Sequence, residues 1–469
     1  MSSTTEQNPA KGHLSVWDAV SIIIGIVIGS GIYETAPFIL SQLPGPGAAL
    51  AVWAVCGVLS LIGALCYSEL ASAYPRTGGD YVYLTRAYGP WAGFLFGWAQ
   101  LAVIMTGSIG MMAFVFADYG VKLFNLQPAD AAPLAIAAVI VVSGLNICGV
   151  VFGKRAQNFL TTLKIIGLGG IVIAGFGWAQ PASAAPAAAG TGGANFGLAM
   201  ILVLYTYGGW NDAAFVVAEM KDRKNIPRAL LLGVGAVAVI YLLINAAYLL
   251  ALGFDGAKSS RAIAADVLGK PLGDFGAKGM SILVMISALG ALNGLIFTGS
   301  RIYSTVGQDF SLFATLSRWH PRLGSPVWSL STQAVITLLM IFFVGTEAGR
   351  ALVSQLFSLL GSGKIEWQGH GGFETLLRCT SPMFWLFFLA TGISLFVLRK
   401  KEPATERPFR VPLFPITPLI FCATCGYMLY SAIDYAKHLT WIGVLPVGLG
   451  CFLYLLSKRT MVGVNPNPS

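Results

Sequence analysis

Two apolar stretches of this chain are interrupted near their middle by glycines. The first reads GIVIGSGIY at residues 25–33, and the second reads YTYGGWN at residues 205–211. Within a bilayer every backbone polar group needs a partner, so an unwound turn is stable only where it is buried in protein or lines a cavity. Gly-interrupted spans at corresponding positions of two halves are typical of secondary transporters, and they mark the substrate site. The sequence therefore predicts a membrane protein in which two broken helices surround a central site.

The composition supports a membrane location. The chain has 469 residues, of which 56% are hydrophobic and 10% are charged, and its mean hydropathy is +0.73. A typical soluble domain contains about 25% charged residues, and a transmembrane helix needs roughly 20 apolar residues. Twelve stretches are predicted to span the membrane: 16–40, 48–73, 90–117, 132–152, 159–178, 197–218, 229–252, 279–306, 327–345, 380–398, 412–432 and 440–457.

The twelve predicted spans divide into two sets of five and a final pair. Each set of five begins with a broken helix, which is the pattern of an inverted repeat. The predicted parts are an N-terminal tail (1–15), a first repeat (16–178), an external linker (179–196), a second repeat (197–398), accessory spans (399–457) and a C-terminal tail (458–469). The segment 346–379 is too polar to span, although residues 351–360 suit a short amphipathic helix.

The positive charges predict the orientation. With the N-terminus inside, 19 Lys and Arg residues lie in inner segments, nine lie in outer segments, and Lys164 lies within a span. Because cytoplasmic loops are enriched in basic residues, both termini are predicted to be cytoplasmic, in a multi-pass protein of the cell (inner) membrane. The basic residues are scattered over separate short loops, so the net charge of +9 does not indicate a nucleic-acid partner.

The sequence lacks the motifs of several enzyme classes. It contains no Gly-x-x-x-x-Gly-Lys-Ser/Thr, His-Glu-x-x-His or Gly-x-Ser-x-Gly element, and it has four histidines. These observations predict neither enzymatic activity nor a cofactor or metal. Cys422 and Cys425 have a redox or metal spacing, but no second Cys or His pair lies near them in the sequence. Packing of small residues within an apolar helix is the favoured interpretation of this pair.

A set of longer motifs carries a family resemblance. They are IGSGI (28–32), SELASAYPRTGGDYVYL (68–84), LKI (163–165), YGGWN (207–211), EMKDRKNIPR (219–228), GALNGLIFTGSR (290–301) and ERP (406–408). In combination they resemble the amino acid–polyamine–organocation superfamily, and most closely its L-type amino acid transporter light-subunit branch. The resemblance implies an all-α, LeuT-type membrane fold with 12 transmembrane helices, a 5+5 inverted repeat and discontinuous helices 1 and 6.

One departure from the family concerns a partner protein. Animal members of this branch use a cysteine after the third span to form a disulfide bond with a glycoprotein heavy chain. The corresponding segment here, residues 118–132, contains no cysteine. We therefore expect no disulfide-linked heavy chain.

The first break suits a carboxylate. Unwinding leaves free amides, and the N-terminus of a half-helix carries about half a positive charge. We expect the amides of Ser30 and Gly31 and the hydroxyl of Ser30 to hold the α-carboxylate of an amino acid. The alternative is that Gly25 and Gly29 merely allow close helix packing.

The second break suits an ammonium group. The resemblance implies that carbonyls at residues 205–207 face the α-amine and that Tyr205 closes over the substrate, although aromatics at helix ends are also interfacial anchors. Gly208 and Gly209 leave room for a side chain. The complete predicted set of substrate-binding residues is Ile28, Ser30, Gly31, Tyr205, Tyr207, Gly208, Gly209, Asn211 and Asn293.

Lys164 is a lysine several residues inside the fifth span. A central lysine costs about 2.5–3.5 kcal/mol on insertion scales, so it needs a compensating interaction. Sodium-coupled relatives of this fold hold a sodium ion between the first and eighth helices, and the resemblance places the Lys164 amine there instead. The alternative is that its side chain snorkels to the cytoplasmic face.

Five charged residues near the inner helix ends are candidates for a cytoplasmic gate of ion pairs. They are Glu69, Arg76, Asp80, Glu219 and Arg301. The same residues are equally compatible with ordinary charges at a membrane boundary.

These observations favour a sodium-independent exchanger or facilitator of neutral L-amino acids that works by alternating access. No acidic residue and no free arginine is clearly predicted in the pocket for a charged substrate side chain. The alternatives are a proton-coupled symporter in which Lys164 titrates, an antiporter of cationic amino acids or polyamines, and a membrane sensor that binds an amino acid without transporting it. A sensor should carry an output domain, and none is evident in the sequence.

Overall fold

A computed structural model describes most of the chain. The described residues are 15–29, 31–75, 78–149, 154–178, 195–211, 220, 222–260, 262–359, 367 and 371–457. Three predicted site and gate residues, Ser30, Arg76 and Glu219, lie outside these ranges, as do residues 179–194 of the predicted linker (179–196).

The described residues form α-helices joined by short turns and contain no β-strand. The helices are α1 (Val16–Val27), α2 (Gly31–Ser41), α3 (Pro46–Ala73), α4 (Asp80–Tyr88), α5 (Pro90–Ala99), α6 (Met105–Phe124), α7 (Ala131–Ile147), α8 (Lys154–Gly177), α9 (Phe196–Tyr207), α10 (Ile226–Ser259), α11 (Ile263–Asp309), α12 (Val327–Gly345), α13 (Glu347–Leu359), α14 (Gly372–Lys401), α15 (Ile416–Ala436) and α16 (Thr440–Ser457). A π-helical turn, Gln100–Ile104, joins α5 to α6.

Eight helical stretches of the described chain are long and apolar enough to cross a membrane. The predicted first and sixth spans are not among them, because each is interrupted and its helical pieces are short. The stretch Ile416–Ser457 is one of the eight, although it contains two helices, α15 and α16, joined by a short turn. The total of twelve spans and their arrangement as an inverted repeat remain predictions.

Both predicted breaks are present in the structure. The first helix ends at Val27 and the next begins at Gly31. The second break follows the end of α9 at Tyr207, and Gly209 has a φ of 102°. Few residues other than glycine adopt such a conformation, so the glycine allows the chain to turn here. Helical structure resumes at Trp210 and Asn211, where the described segment ends.

Helix packing brings the two breaks together. The α2 segment packs against both α9 and α10, and α1 packs along α10. The lysine-bearing helix α8 packs against α10 and α11, while α6 packs against α11. The interrupted ends of α1, α2 and α9 therefore face one another in the interior, within reach of α8.

The predicted start of the tenth span is wrong. The sequence predicts a polar segment up to residue 379, but α14 begins at Gly372, and α13 forms close to the predicted amphipathic helix. The polarity was misleading because the charges are paired. Glu374 accepts a hydrogen bond from Arg378 Nη2 at 3.0 Å and from the Tyr435 hydroxyl at 2.6 Å. Satisfied in this way, the carboxylate is compatible with a buried helix.

Candidate functional site

A cavity of about 250 Å³ lies where the two breaks meet. The described lining comes from both interrupted helices, from the third predicted span, and from α8, α11 and α14. It includes Gly25, Val27, Gly29, Gly31, Gln100, Ile104, Met105, Ser108, Met112, Lys164, Tyr205, Thr206, Gly208, Gly209, Asn211, Gly290, Ala291, Gly294, Leu295, Thr298, Thr380, Ser381, Phe384 and Trp385. The walls are mostly apolar with a few convergent polar groups, as in small-molecule sites generally.

The structure brings most of the predicted site residues together, but not all of them. The lining contains the predicted residues Gly31, Lys164, Tyr205, Gly208, Gly209 and Asn211. The remaining described members lie outside the lining. Ile28 is buried, its amide donates to the Ile24 carbonyl at 2.9 Å, and its carbonyl accepts from Lys164. Asn293 accepts a hydrogen bond from Asn146 at 2.7 Å, between α7 and α11.

Tyr207 also lies outside the cavity lining. Its hydroxyl donates to the carbonyl of Trp53 at 3.2 Å, and its ring packs against the rings of Trp53 and Tyr241. The sequence motif places Tyr207 beside the break, but the helix turns its side chain toward α3. Its contacts are those of a residue that supports the end of α9.

At the first break, the chain presents hydrogen-bond donors. The first four N–H groups of a helix have no partner within it, and those of α2 begin at Gly31 on the cavity wall. Thr35 packs this end of α2 against α9, because its Oγ1 lies 2.8 Å from Thr206 Oγ1. Free amides combined with the positive end of a helix form an anion site.

The carbonyls at the end of α1 are occupied by side chains from other helices. Lys164 Nζ donates to the Ile28 carbonyl at 3.4 Å, the long end of hydrogen-bond distances, and the lysine is 4% exposed. The Tyr241 hydroxyl lies 2.9 Å from the Val27 carbonyl. The lysine therefore does not snorkel to a surface in this structure, and its amine lies beside the first break.

At the second break, the chain presents carbonyls that are partly engaged. Gly208 N–H donates to the Tyr205 carbonyl at 2.9 Å, and the Tyr241 hydroxyl lies 3.2 Å from the Thr206 carbonyl. Gly209 N–H donates to Asn211 Oδ1 at 3.2 Å. Because a carbonyl oxygen has two lone pairs, those of Tyr205 and Thr206 can each accept a further hydrogen bond. This end of the cavity therefore has acceptors where the first has donors.

Buried tyrosines near the breaks were missed by the sequence analysis. Tyr241 contacts carbonyls of both interrupted helices, whereas Tyr248 donates to Ile32 at 3.4 Å and Tyr119 donates to Tyr33 at 3.1 Å. Single tyrosines in apolar spans form no motif. The seven-residue spacing of Tyr241 and Tyr248, which places them on one helix face, was the signal that could have identified this pair.

One predicted gate residue, Glu69, pairs with arginines outside the predicted set. Glu69 is buried and accepts two hydrogen bonds from Arg399, at 2.7 and 2.6 Å, and one from the Val411 amide at 2.7 Å. Arg407 lies 3.6 Å from the same carboxylate. Neither arginine was in the predicted set. A two-pronged arginine pair is among the stronger charge interactions, and this one ties α3 to α14 and to the segment after it.

The other two described members of the predicted gate do not join that pair. Arg301 is exposed on α11, where it donates to the Phe297 carbonyl at 3.0 Å and lies over the Phe297 ring. Asp80 is buried at the start of α4, close to the Tyr67 and Thr391 hydroxyls, and burial raises the pKa of its carboxyl to about 6. The partners in these contacts therefore differ among the three described candidates, Glu69, Asp80 and Arg301.

Interrupted helices that converge on a small, mostly apolar cavity within a bundle of apolar helices are typical of secondary transporters. The chain matches the amino acid permease family over residues 14–452, and it belongs to that family. It is therefore a multi-pass membrane protein of an amino acid transporter family, and its resemblance to the L-type light-subunit branch is confirmed.

Three relatives illustrate the breadth of this similarity. The human "Cystine/glutamate transporter" is 30% identical over 461 residues, covering 96% of this chain and 86% of that protein. The mouse "Large neutral amino acids transporter small subunit 2" is 31% identical over 427 residues, covering 88% and 75%. The "Serine/threonine exchanger SteT" of Bacillus subtilis is 28% identical over 436 residues, covering 92% and 93%.

Proposed function

We propose that this chain is a sodium-independent exchanger or facilitator of neutral L-amino acids that works by alternating access. The carrying observation is the opposite chemistry of the two breaks within one cavity. Donors at the start of α2 match an α-carboxylate, and acceptors at the end of α9 match an α-ammonium group. A free amino acid carries both groups on one carbon atom.

Neutral substrates suit the charge of the cavity. Among the described lining residues, Lys164 is the one charged side chain, and its amine is directed to the Ile28 carbonyl. No carboxylate lines this part of the cavity to bind a cationic side chain, which disfavours the antiporter of cationic amino acids or polyamines. The relatives named for large neutral amino acids and for serine and threonine are consistent with this choice.

Sodium independence is proposed from the position of Lys164. Its amine supplies a fixed cation beside the first break, where the resemblance places sodium in coupled transporters. A cation held by the chain needs no ion gradient. The rival hypothesis assigns the same lysine the role of a proton carrier.

The proposal includes the predicted topology and partners. We infer twelve spans in two inverted repeats of five plus an accessory pair, with both termini in the cytoplasm. We also infer that the chain acts in the cell membrane without a disulfide-linked heavy chain, because residues 118–132 contain no cysteine.

Transport into liposomes tests the proposal. Purified protein is reconstituted into vesicles with or without internal alanine, and uptake of labelled leucine, lysine and glutamate is measured with sodium or choline outside. We expect leucine uptake that is unchanged in choline, and no accumulation driven by a pH gradient alone. A strict sodium requirement, or preferred uptake of lysine, would contradict the proposal. Accumulation driven by a pH gradient would favour the proton-coupled alternative.

A further inference from the structure

Gln100 places an amide group on the cavity wall. Its side-chain oxygen Oε1 is buried and has no hydrogen-bond partner in the structure. Buried polar atoms are almost always paired, because an unpaired acceptor loses the hydrogen bond that it made with water. Gln100 itself is part of the cavity wall, so rotation of the amide about its terminal bond would present Oε1 to a bound molecule and remove that deficit.

A π-helical turn directs Gln100 toward the cavity. In the segment Gln100–Ile104, the Met105 amide donates to the Gln100 carbonyl, five residues back. The Tyr303 hydroxyl of α11 also donates to this carbonyl, at 3.3 Å. A π turn inserts about one residue relative to an α-helix, so Gln100 and Ser108 lie about two turns apart on one face. Ser108 indeed lines the same cavity.

The nearby hydroxyl groups already have acceptors within their own helices. Ser108 donates to the Ile104 carbonyl at 2.9 Å, and Thr380 and Ser381 of α14 both donate to the Leu377 carbonyl. These hydroxyl protons are therefore engaged in the protein. On this wall of the cavity, the Gln100 amide is the group left to recognise a bound side chain.

Building on the proposed function, we propose that Gln100 is a specificity-determining residue and that the preferred substrates are neutral amino acids with a side-chain hydroxyl or amide. The two breaks hold the carboxylate and the amine, which leaves the substrate side chain to the wall formed by the π turn and α6. The other residues of this wall are the apolar Ile104, Met105 and Met112, and Ser108, whose hydroxyl donates within its own helix. An amide both donates and accepts, so it complements a hydroxyl or another amide.

Threonine and valine provide the sharpest comparison, because they have nearly the same shape and differ by a hydroxyl in place of a methyl group. Uptake of each is measured over a concentration series in liposomes loaded with alanine, and kcat/KM is compared. For the unmodified chain we expect threonine to be favoured over valine by about fivefold to tenfold, the effect of one net hydrogen bond. In Gln100→Leu, which keeps the volume but removes the amide, the preference should disappear through loss of threonine transport, with valine transport retained.

Matched variants separate this role from a structural one. Gln127→Leu makes the same change in the turn between α6 and α7, outside the cavity lining, and should leave the ratio unchanged. Gln100→Glu retains a hydrogen-bond acceptor and should keep the preference for threonine over valine. Gln100→Met should lose that preference, and it replaces Gln100→Leu if the leucine variant does not fold. A threonine-to-valine ratio that is unchanged in the variants without the amide, or an equal loss of both substrates, would overturn the assignment. If the unmodified chain transports neither substrate nor leucine, the proposed function itself fails.

Discussion

The two breaks differ in which backbone groups the protein leaves available. At the first, side chains from α8 and α10 occupy the carbonyls of Ile28 and Val27, and the amides at the start of α2 remain. At the second, the amide of Gly209 is bonded to Asn211, and the carbonyls of Tyr205 and Thr206 retain a second lone pair. The Val27 carbonyl also accepts from the Gly29 amide at 2.7 Å, so the groups that remain are mainly donors at the first break and acceptors at the second.

This difference explains how a nearly uncharged cavity could orient a zwitterion. Interrupting a membrane helix exposes donors and acceptors together, and a break with both kinds of group would not distinguish the carboxylate of a substrate from its amine. Filling the acceptors at one break and a donor at the other leaves a donor end and an acceptor end. The Tyr241 hydroxyl contacts carbonyls at both breaks and therefore links the two ends.

The largest expected effect comes from filling the donor end. A Cβ added at Gly31 would meet Thr206 Cγ2 at 3.4 Å, an ordinary contact, and the two further carbons of valine would extend beyond that contact, against Thr206 or into the cavity. We expect Gly31→Val to lose more than about 100-fold in affinity for leucine, and Gly31→Ala to lose much less, since overpacking costs about 1–3 kcal/mol and the carboxylate contacts are lost as well. Binding is measured by calorimetry on purified protein.

Gly169→Val serves as the control for this substitution, because Gly169 lies on an exposed helix face where an added Cβ would have no neighbour within 4 Å. Leucine binding to it should be normal. Normal leucine binding by Gly31→Val would place the carboxylate elsewhere.

Removing the lysine tests the carbonyl side of the same break. In Lys164→Ala the Ile28 carbonyl loses its donor, and the turn between α1 and α2 loses its fixed cation. We expect leucine transport to fall by about tenfold to 100-fold, because hydrogen bonds to charged groups contribute about 1.5–3 kcal/mol. Exchange is measured in liposomes without sodium, and thermal unfolding is followed in parallel to separate loss of order from loss of fold.

The outcome also distinguishes the two roles proposed for the lysine. A structural cation predicts that Lys164→Ala impairs exchange at every pH. A proton carrier predicts that exchange persists while accumulation driven by a pH gradient disappears, and that result would contradict our proposal.

The sequence was sufficient to predict where the helices break, and insufficient to predict what fills each break. Glycines within apolar spans identified both interruptions, and the cost of a buried lysine indicated that Lys164 needs a contact inside the protein. Tyr241 and Gln100 were not identified, because their roles depend on helix packing and on a π turn that no local pattern reveals. The pairing of Glu69 with Arg399, 330 residues away, depends equally on the fold.

A smaller effect is expected from the turn at the acceptor end. Gly209 has a φ of 102°, so an alanine there is strained by about 1–2 kcal/mol, and its methyl group would reduce the side-chain space. Gly209→Ala should weaken leucine transport by about fivefold to 30-fold and shift the preference toward glycine and alanine over leucine and phenylalanine. Competition against labelled alanine measures the ranking.

Gly253→Ala introduces comparable strain at a φ of 71°, near the end of α10 and outside the cavity lining, so it provides the control. Its substrate ranking should match that of the unmodified chain. An unchanged ranking in folded Gly209→Ala would show that this glycine does not bound the side-chain space.

The smallest effect is expected from the hydroxyl that joins the two breaks. Tyr241→Phe removes one oxygen atom, leaves the ring packed against Trp53 and Tyr207, and frees one carbonyl at each break. Loss of a net hydrogen bond of about 0.5–1.5 kcal/mol predicts a decrease of roughly threefold to tenfold in leucine affinity.

Tyr248→Phe is the matched control, because the Tyr248 hydroxyl reaches a carbonyl of the first interrupted helix at 3.4 Å. If Tyr241 sets the separation of the donor and acceptor ends, its variant should lose more affinity for leucine than the control does. The same variant should lose less affinity for leucinol, which keeps the amine but lacks the carboxylate and therefore does not need both ends at a fixed distance. Equal losses for leucine and leucinol would instead indicate that Tyr241 acts on the fold as a whole, and the contrast between the breaks would then rest on Lys164 and Asn211.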